Sequence, residues 1–281
     1  MFATLIGPYP GSDDDAGVAA ALAAMGLDVV GDGRGPSGPD EDVVAAWQQA
    51  AGSTSVAVKQ ALLGPFSAAR RAGRDPLALA ETIGAAAAAL GVAGCPLVEI
   101  EEPEAAASAG DEAAPDQLSG ALRRLTDQVT DLHLSLVLTG GNVDGFGPAT
   151  FFDLPFASYA FDLIAGPDNW RLIAQAPADR GIVCGALDPS PTSGDRPETL
   201  VWAAHYAAST RGRGLARVGL ANASSIGDLA PARAQRKVKA LVEAARLAAL
   251  QDPEELAASL DPKAVDSRSA ALGKFTPKRR D

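Results

Sequence analysis

The segment Pro96-Leu97-Val98-Glu99-Ile100-Glu101-Glu102-Pro103 decides how this chain is read: an apolar run that carries three carboxylates within four positions and is stopped by proline. In a strand of period two, Glu99 and Glu101 share one side, and Glu102 falls on the turn that Pro103 forces. Strands disfavour Glu, and two on one face require water, a partner or a ligand. A strand that delivers acidic groups to a loop is where α/β proteins build sites. The competing reading is a solvated strand end with ordinary surface glutamates.

Outward from this segment the chain alternates. Strands are predicted over 2–6, 27–30, 53–59, 96–102, 132–139, 157–164, 181–187 and 217–221. Helices are predicted over 16–25, from Pro39-Asp40 to Trp47, from Asp75-Pro76 to Leu90, and over 115–130, 169–176, 197–210 and 231–250. Asp13, Asp14 and Asp15 supply negative charge to the start of the first helix, and Gly26 ends it. Residues 104–114 read as an acidic loop of small residues. Eight strands, each followed by helical or loop sequence, predict an α/β protein with a single (β/α)8 TIM barrel over 1–250. Residues 251–281 are expected to form a polar tail, packed outside or frayed.

Composition excludes several function classes. The 281 residues carry a net charge of -11, with 47% apolar and 21% charged residues. A globular chain with that balance lacks the clustered Lys and Arg that nucleic acid or an anionic membrane needs. Lys278-Arg279-Arg280 is the one basic run, and it lies in the tail. Cys95 and Cys184 lie in or beside strands and read as small apolar core residues. The start lacks the basic region of a secretory signal, and no apolar run is long enough to span a bilayer, so a cytoplasmic location is expected. Gly31-Asp32-Gly33-Arg34-Gly35 matches neither a P-loop nor a dinucleotide fingerprint, and reads as a plain loop.

The loop ends carry a resemblance. Thr4-Leu5-Ile6-Gly7-Pro8-Tyr9-Pro10 is similar to the opening Thr-x-Ile-Gly-Ser-(aromatic)-Pro of the catalytic domain of cobalamin-independent methionine synthase. Val58-Lys59 with Leu63-Gly64-Pro65-Phe66-Ser67 resembles that family's Lys-Gly-x-x-Thr-Gly-Pro-x-Thr, and Val98 to Pro103 resembles Ile-Gln-Ile-Asp-Glu-Pro. The segment 154–162 resembles the strand that ends in the family's zinc-binding Glu. Gly185-Ala186-Leu187-Asp188 and Ala234-Gln235-Arg236-Lys237 also fit, so the resemblance runs in order from about residue 4 to about residue 250. It places the chain in the wider group of barrels that includes uroporphyrinogen decarboxylase, and implies methyl or alkyl transfer.

The resemblance also marks departures. The family's His-x-Cys zinc ligands fall on Val137 and Thr139, its Glu on Asp162, and its last Cys on Ala223 or Ser224. One carboxylate does not hold zinc, and His133 is placed at the opposite end of its strand, so no catalytic zinc is expected. His205 falls within a helix, as a surface or packing residue. Pro8 replaces a substrate-binding Ser, Arg34 an acidic residue, and Glu101 an Asp. Ala69-Arg70-Arg71 stands where a folate-stacking Trp would be, which speaks against methyl-folate.

The mouth retains Asp32, Arg34, Lys59, Glu101, Glu102, Thr139, Asn142, Asp162, Asp188 and Asn222. In the functional reading, Glu101, Glu102 and Asp162 are the catalytic acid/base candidates. Asp32, Arg34, Lys59, Asn142, Asp188 and Asn222 bind a small polar or anionic substrate, with Lys59 and Arg34 holding its charge. In the structural reading, Lys59 simply pairs with Glu101. Two functions follow: a metal-free methyl- or alkyl-transferase, with a decarboxylase as its nearest variant, or a barrel without catalysis that binds a protein partner or another copy.

Overall fold

The computed structural model describes residues 1–11, 17–38 and 41–260. Seven parallel strands form one curled sheet in the order β1-β9-β8-β7-β6-β5-β4, and β2 pairs with β3 in a second parallel sheet. The strands are β1 (Phe2–Ala3), β2 (Val29–Val30), β3 (Ala57–Val58), β4 (Gln60–Leu63), β5 (Leu97–Glu101), β6 (His133–Leu138), β7 (Ser158–Asp162), β8 (Gly181–Leu187) and β9 (Val218–Asn222). Only Lys59 separates β3 from β4, so the two act as one stave, and the staves number eight, as the sequence predicts. This is an α/β TIM-barrel fold.

Side chains close the wall where the ladders stop. Between β1 and β2, Asp28 donates its amide to the Ala3 carbonyl at 3.1 Å, and its carboxylate accepts the Ala3 amide at 2.7 Å. At the end of β9, the Asn222 side chain accepts the Ile6 amide at 2.9 Å and donates to the Ile6 carbonyl at 2.6 Å, extending the β1–β9 pairing past its backbone register.

The helices are α1 (Val18–Ala24), α2 (Val43–Ala51), α3 (Pro65–Ala72), α4 (Pro76–Val92), α5 (Glu104–Ala107), α6 (Ala114–Thr126), α7 (Ala149–Phe152), α8 (Trp170–Gln175), α9 (Pro197–Ser209), α10 (Pro231–Ala248) and α11 (Pro253–Ser259). Asp75 caps α4 by accepting the Leu77 amide, with Pro76 at its first position. Alternate strand residues split the core in two. Leu62, Val98, Ile100, Leu136, Leu138, Tyr159, Phe161 and Leu220 face the helices. Ile6, Val137, Ala160, Val183 and Ala221 fill the barrel itself, with Phe2 beside them.

The sequence expectation differs from this in several places. The third stave runs on to Leu63 instead of ending at Lys59, which moves Lys59 from a strand end to mid-stave. Helix α3 follows at once and was not predicted; Gly64-Pro65 reads as a break, yet Pro65 is the first residue of α3. The acidic loop over 104–114 contains the short α5. Helix α2 starts at Val43, capped by Asp42, which accepts the Ala45 amide. Asp13, Asp14, Asp15, Pro39-Asp40 and Lys278-Arg279-Arg280 lie outside the described residues. After residue 250, Leu256 and Leu260 pack against the core.

The Asn222 clamp gives a test of barrel closure. Asn222→Ala strands the buried amide and carbonyl of Ile6, and should cost about 2–4 kcal/mol of unfolding free energy in urea titrations. A loss below about 0.5 kcal/mol, the range of ordinary surface substitutions, would show that the seam does not depend on it.

Candidate functional site

The strand ends converge as their sequence pattern predicts, but the charges pair differently. Lys59 is buried and donates from Nζ to Glu99 Oε1 at 2.6 Å and to the Leu5 carbonyl at 2.6 Å. Its partner is therefore Glu99, one strand period short of the expected Glu101. The cause is the longer third stave: Ala61 lies beside Glu99 in the register, so Lys59 sits one strand period below Glu99 and its side chain reaches up to that carboxylate, short of Glu101. With both its bonds inside the barrel, Lys59 does not present its ammonium at the mouth.

Glu101 is left without that cation. It is 5% exposed and its Oε1 has no hydrogen-bond partner within the protein. Burial first, and then the Glu99 charge, push its carboxyl up to about 7, against the pull of Lys59, a backbone hydrogen bond from Gly7, and Arg71. Glu101, Glu99 and Lys59 line a narrow cleft with Tyr9, Asp32 and Arg34, whose cavity of about 20 Å³ is large enough for one water. Arg34 and Asp32 form an ion pair at 2.8 Å at its rim, with the Arg34 side chain 40% exposed.

Glu102 turns the other way. Its two carboxylate oxygens accept the Phe66 amide at 3.0 Å and the Ser67 amide at 2.7 Å, at the first turn of α3. Burial pushes it up to about 7, against the Ser67 hydroxyl and these amides. Gly64 is required beside it, since a Cβ there would lie 2.3 Å from the Glu102 carboxyl. Glu102 thus fixes α3 on the barrel and does not face the cleft.

A second opening, a pocket of about 290 Å³, lies at the ends of β7, β8 and β9, lined by Asp162, Ile164, Ala165, Asp188, Pro189, Ser190, Ala223, Ser224 and Ser225. That volume approaches the size of a small-molecule site. Asp162 lines it, but its carboxylate accepts the amides of Gly140, Ile164 and Ala165 at 2.8–3.0 Å. Asp188 accepts the Ser190 amide at 2.9 Å through one oxygen. Between pocket and cleft runs the turn after β1: Gly7 lines the cleft, and a Cβ on it would lie 3.4 Å from Ser225 of the pocket. Asn142 stands apart from both, bonded with Asp168, and Asn222 is spent on the β1–β9 seam.

Zinc does not fit this arrangement. Val137 and Ala223 are buried and carry no donor, Val137 packs inside the apolar barrel core, and Asp162 already accepts three backbone amides. Cys95 and Cys184 are buried, and burial pushes both thiols up, so neither is a ready thiolate. His133 bonds the Ser158 hydroxyl at the start of β6. Among the described residues no three His, Cys, Asp or Glu side chains gather as a metal site. The Arg70 guanidinium lies over the Phe66 ring at 5.0 Å, and Arg71 pairs with Glu104.

Comparison with known structures gives barrels throughout. The chain is similar to a B12-independent methionine synthase from Shewanella sp. W3-18-1 bound to selenomethionine, with a TM-score of 0.75 at 13% identity over 91% of this chain and 98% of that one. A putative vitamin-B12-independent methionine synthase from Listeria monocytogenes gives 0.66 at 12% identity, covering 88% and 97% of the two chains. A methyltransferase from Methanosarcina mazei gives 0.52 at 20% identity, covering 85% and 70%. What these likenesses show is the fold. No protein-family model matches the sequence, and neither does any curated sequence. Among the described residues no helix is long and apolar enough to cross a membrane.

Two outcomes test the electrostatics. Lys59→Met leaves Glu99 buried without its cation and should cost about 3–5 kcal/mol in urea titrations, most of it recovered by adding Glu99→Leu. No recovery in the double variant would mean that the two residues do not act as a pair. The second concerns pH. Glu101 and Glu102 hold protons in the fold up to about 7, against 4.5 for the ordinary carboxyl. The folded state therefore binds more protons in that window, and stability falls as pH rises through it. The urea midpoint should drop between pH 4.5 and 7, and Glu102→Gln should remove about half of the drop. A flat or rising profile would show that both carboxyls ionise normally.

Proposed function

We propose that this chain is an enzyme of the methyl- or alkyl-transferase type, a divergent relative of the methionine synthase barrels that works without their zinc. The observation that carries the reading is Glu101: a carboxyl at the C-terminal end of a barrel strand, buried beside the Lys59–Glu99 pair, and poised to exchange its proton near neutrality. The substrate is a small polar or anionic molecule seated in the pocket edged by Asp162, Asp188, Ser190 and Ser224, and it reaches past the Gly7 turn to the cleft that holds Glu101 and Arg34. Arg34, half exposed at the cleft rim, is the remaining cation for a substrate anion, since Lys59 is occupied inside.

In an alkyl transfer from a neutral donor the acceptor X–H becomes X–alkyl and the donor's leaving group takes up a proton, whereas a cationic donor leaves neutral and the proton passes to solvent. Glu101 as carboxylate removes the acceptor proton, through a water of the size the cleft admits, and as carboxylic acid returns it to the leaving group. Glu99 and Lys59 act through Glu101: the carboxylate keeps the proton on it and the ammonium limits how tightly.

A second reading, a barrel that binds without turning over, has its own support. Glu102, Asp162 and Asn222 all spend their polar atoms on backbone groups, which is structural work. The experiment that separates the readings mixes the protein with small thiols and amines and with methylated sulfur and nitrogen donors, and detects transferred methyl by mass spectrometry. Wild type should turn over with a rate that rises through a pH of about 7, and Glu101→Gln should lose about 100-fold or more with its fold intact. An unchanged rate in Glu101→Gln would remove Glu101 from the mechanism, and no transfer by wild type across the panel would leave the binding reading.

A further inference from the structure

One buried charge does no work in the cleft: Lys237, on α10. Its side chain is 0% exposed, and its Nζ donates to the Asp188 carbonyl at 2.7 Å and to the two Asp195 carboxylate oxygens at 2.8 and 2.9 Å. Those bonds use all three ammonium protons. Asp188 and Asp195 are the two ends of the loop Asp188-Pro189-Ser190-Pro191-Thr192-Ser193-Gly194-Asp195, which leads from β8 toward α9. A single ammonium on a helix thereby gathers both ends of one loop.

That loop is a wall of the pocket, since Asp188, Pro189 and Ser190 line it. Its own bonds are local: the Ser190 amide to the Asp188 carboxylate, the Thr192 amide to the Ser190 hydroxyl, and the Ser193 amide to the Ser190 carbonyl. Asp195 sits at φ 28, in the left-handed region that side chains rarely adopt, so something must hold it there. The other contact with α10 is weaker: Arg233 donates to the Ser193 carbonyl at 3.2 Å, while Arg233 Nε and Ser193 Oγ are buried without partners. Anchoring α10 does not need the lysine, because Val238, Leu241, Ala244 and Ala245 already bury that helix face against the barrel. An ammonium taken wholly out of water is expensive, and its three acceptors all belong to the loop.

We propose that Lys237 is the positioning residue of the mouth pocket, fastening the β8–α9 loop through the Asp188 carbonyl and the Asp195 carboxylate so that Asp188 and Ser190 face the pocket. The inference rests on reading that pocket as the substrate site; the fastening itself does not depend on any substrate.

The test is hydrogen exchange of the full-length chain, wild type against Lys237→Met and against Lys237→Met with Asp195→Leu. The double variant removes the unpaired carboxylate and keeps the fold should the single one fail. In both, the amides of Ser190, Thr192 and Ser193 should exchange at least about tenfold faster, while those of β8 and β9 keep wild-type protection. Loop exchange at the wild-type rate in the double variant would overturn the proposal, as would an equal rise in β8 and β9, the mark of a pair that merely stabilises the fold. Glu101→Gln should leave loop exchange unchanged. Failure of the transferase reading would therefore appear in the mass-spectrometric assay and not here.

Discussion

A carboxylate inside a closed barrel needs a cation or a proton, and this barrel supplies one of each. Glu99 takes the Lys59 ammonium at 2.6 Å, and Glu101, two residues on and on the same side of β5, is left with burial and a negative neighbour. Removing water from both groups makes ionisation of the second expensive once the first is charged. The two positions are coupled by the strand period alone: had the third stave ended at Lys59, the ammonium would sit a level higher and Glu101 would be an ordinary ionised partner. The chemistry available at the mouth follows from where one strand stops.

The same accounting sorts the rest of the rim. Glu102, Asp162 and Asn222 lie at strand ends and look like site residues in the sequence, yet each satisfies backbone groups that the wall or a neighbouring loop would otherwise bury unpaired. A barrel rim is full of such orphan amides, because strands end there and helices begin. Polar side chains at these ends have two employers, the backbone and the ligand. Glu101, Asp188 and Arg34 are those with capacity left for the second.

Much of this was legible in the sequence. The eight staves, their order, and the convergence of Asp32, Arg34, Lys59 and Glu101 at one end follow from alternating patterns that a parallel barrel makes unambiguous. What escaped is register. Lys59 pairs with Glu101 in a reading that ends the third strand at Lys59, whereas the stave continues to Leu63 and Pro65 opens α3. The signal was present in Gln60-Ala61-Leu62-Leu63, a further run of strand length after the lysine. The orientation of Glu102 was not readable, because it depends on the α3 amides lying beside β5, a contact between residues 35 or 36 apart in the chain.

The role of Lys237 was hidden for a different reason. In the sequence it is one basic residue of a closing helix, and although it shares the face of Ala234, Val238, Leu241 and Ala244, nothing in the sequence shows what would take its charge inside. Its acceptors come from the loop that returns from β8, and that loop carries proline and glycine, which sequence reading treats as punctuation. Yet the two facts explain each other. A loop of Pro189, Pro191 and Gly194 has few backbone donors with which to hold itself, so its shape must be imposed from outside. A lysine whose three protons all point at that loop imposes it at both ends. The pocket wall is thus set by a helix on the outside of the barrel, and the side chains that face a substrate need not be the ones that fix its shape.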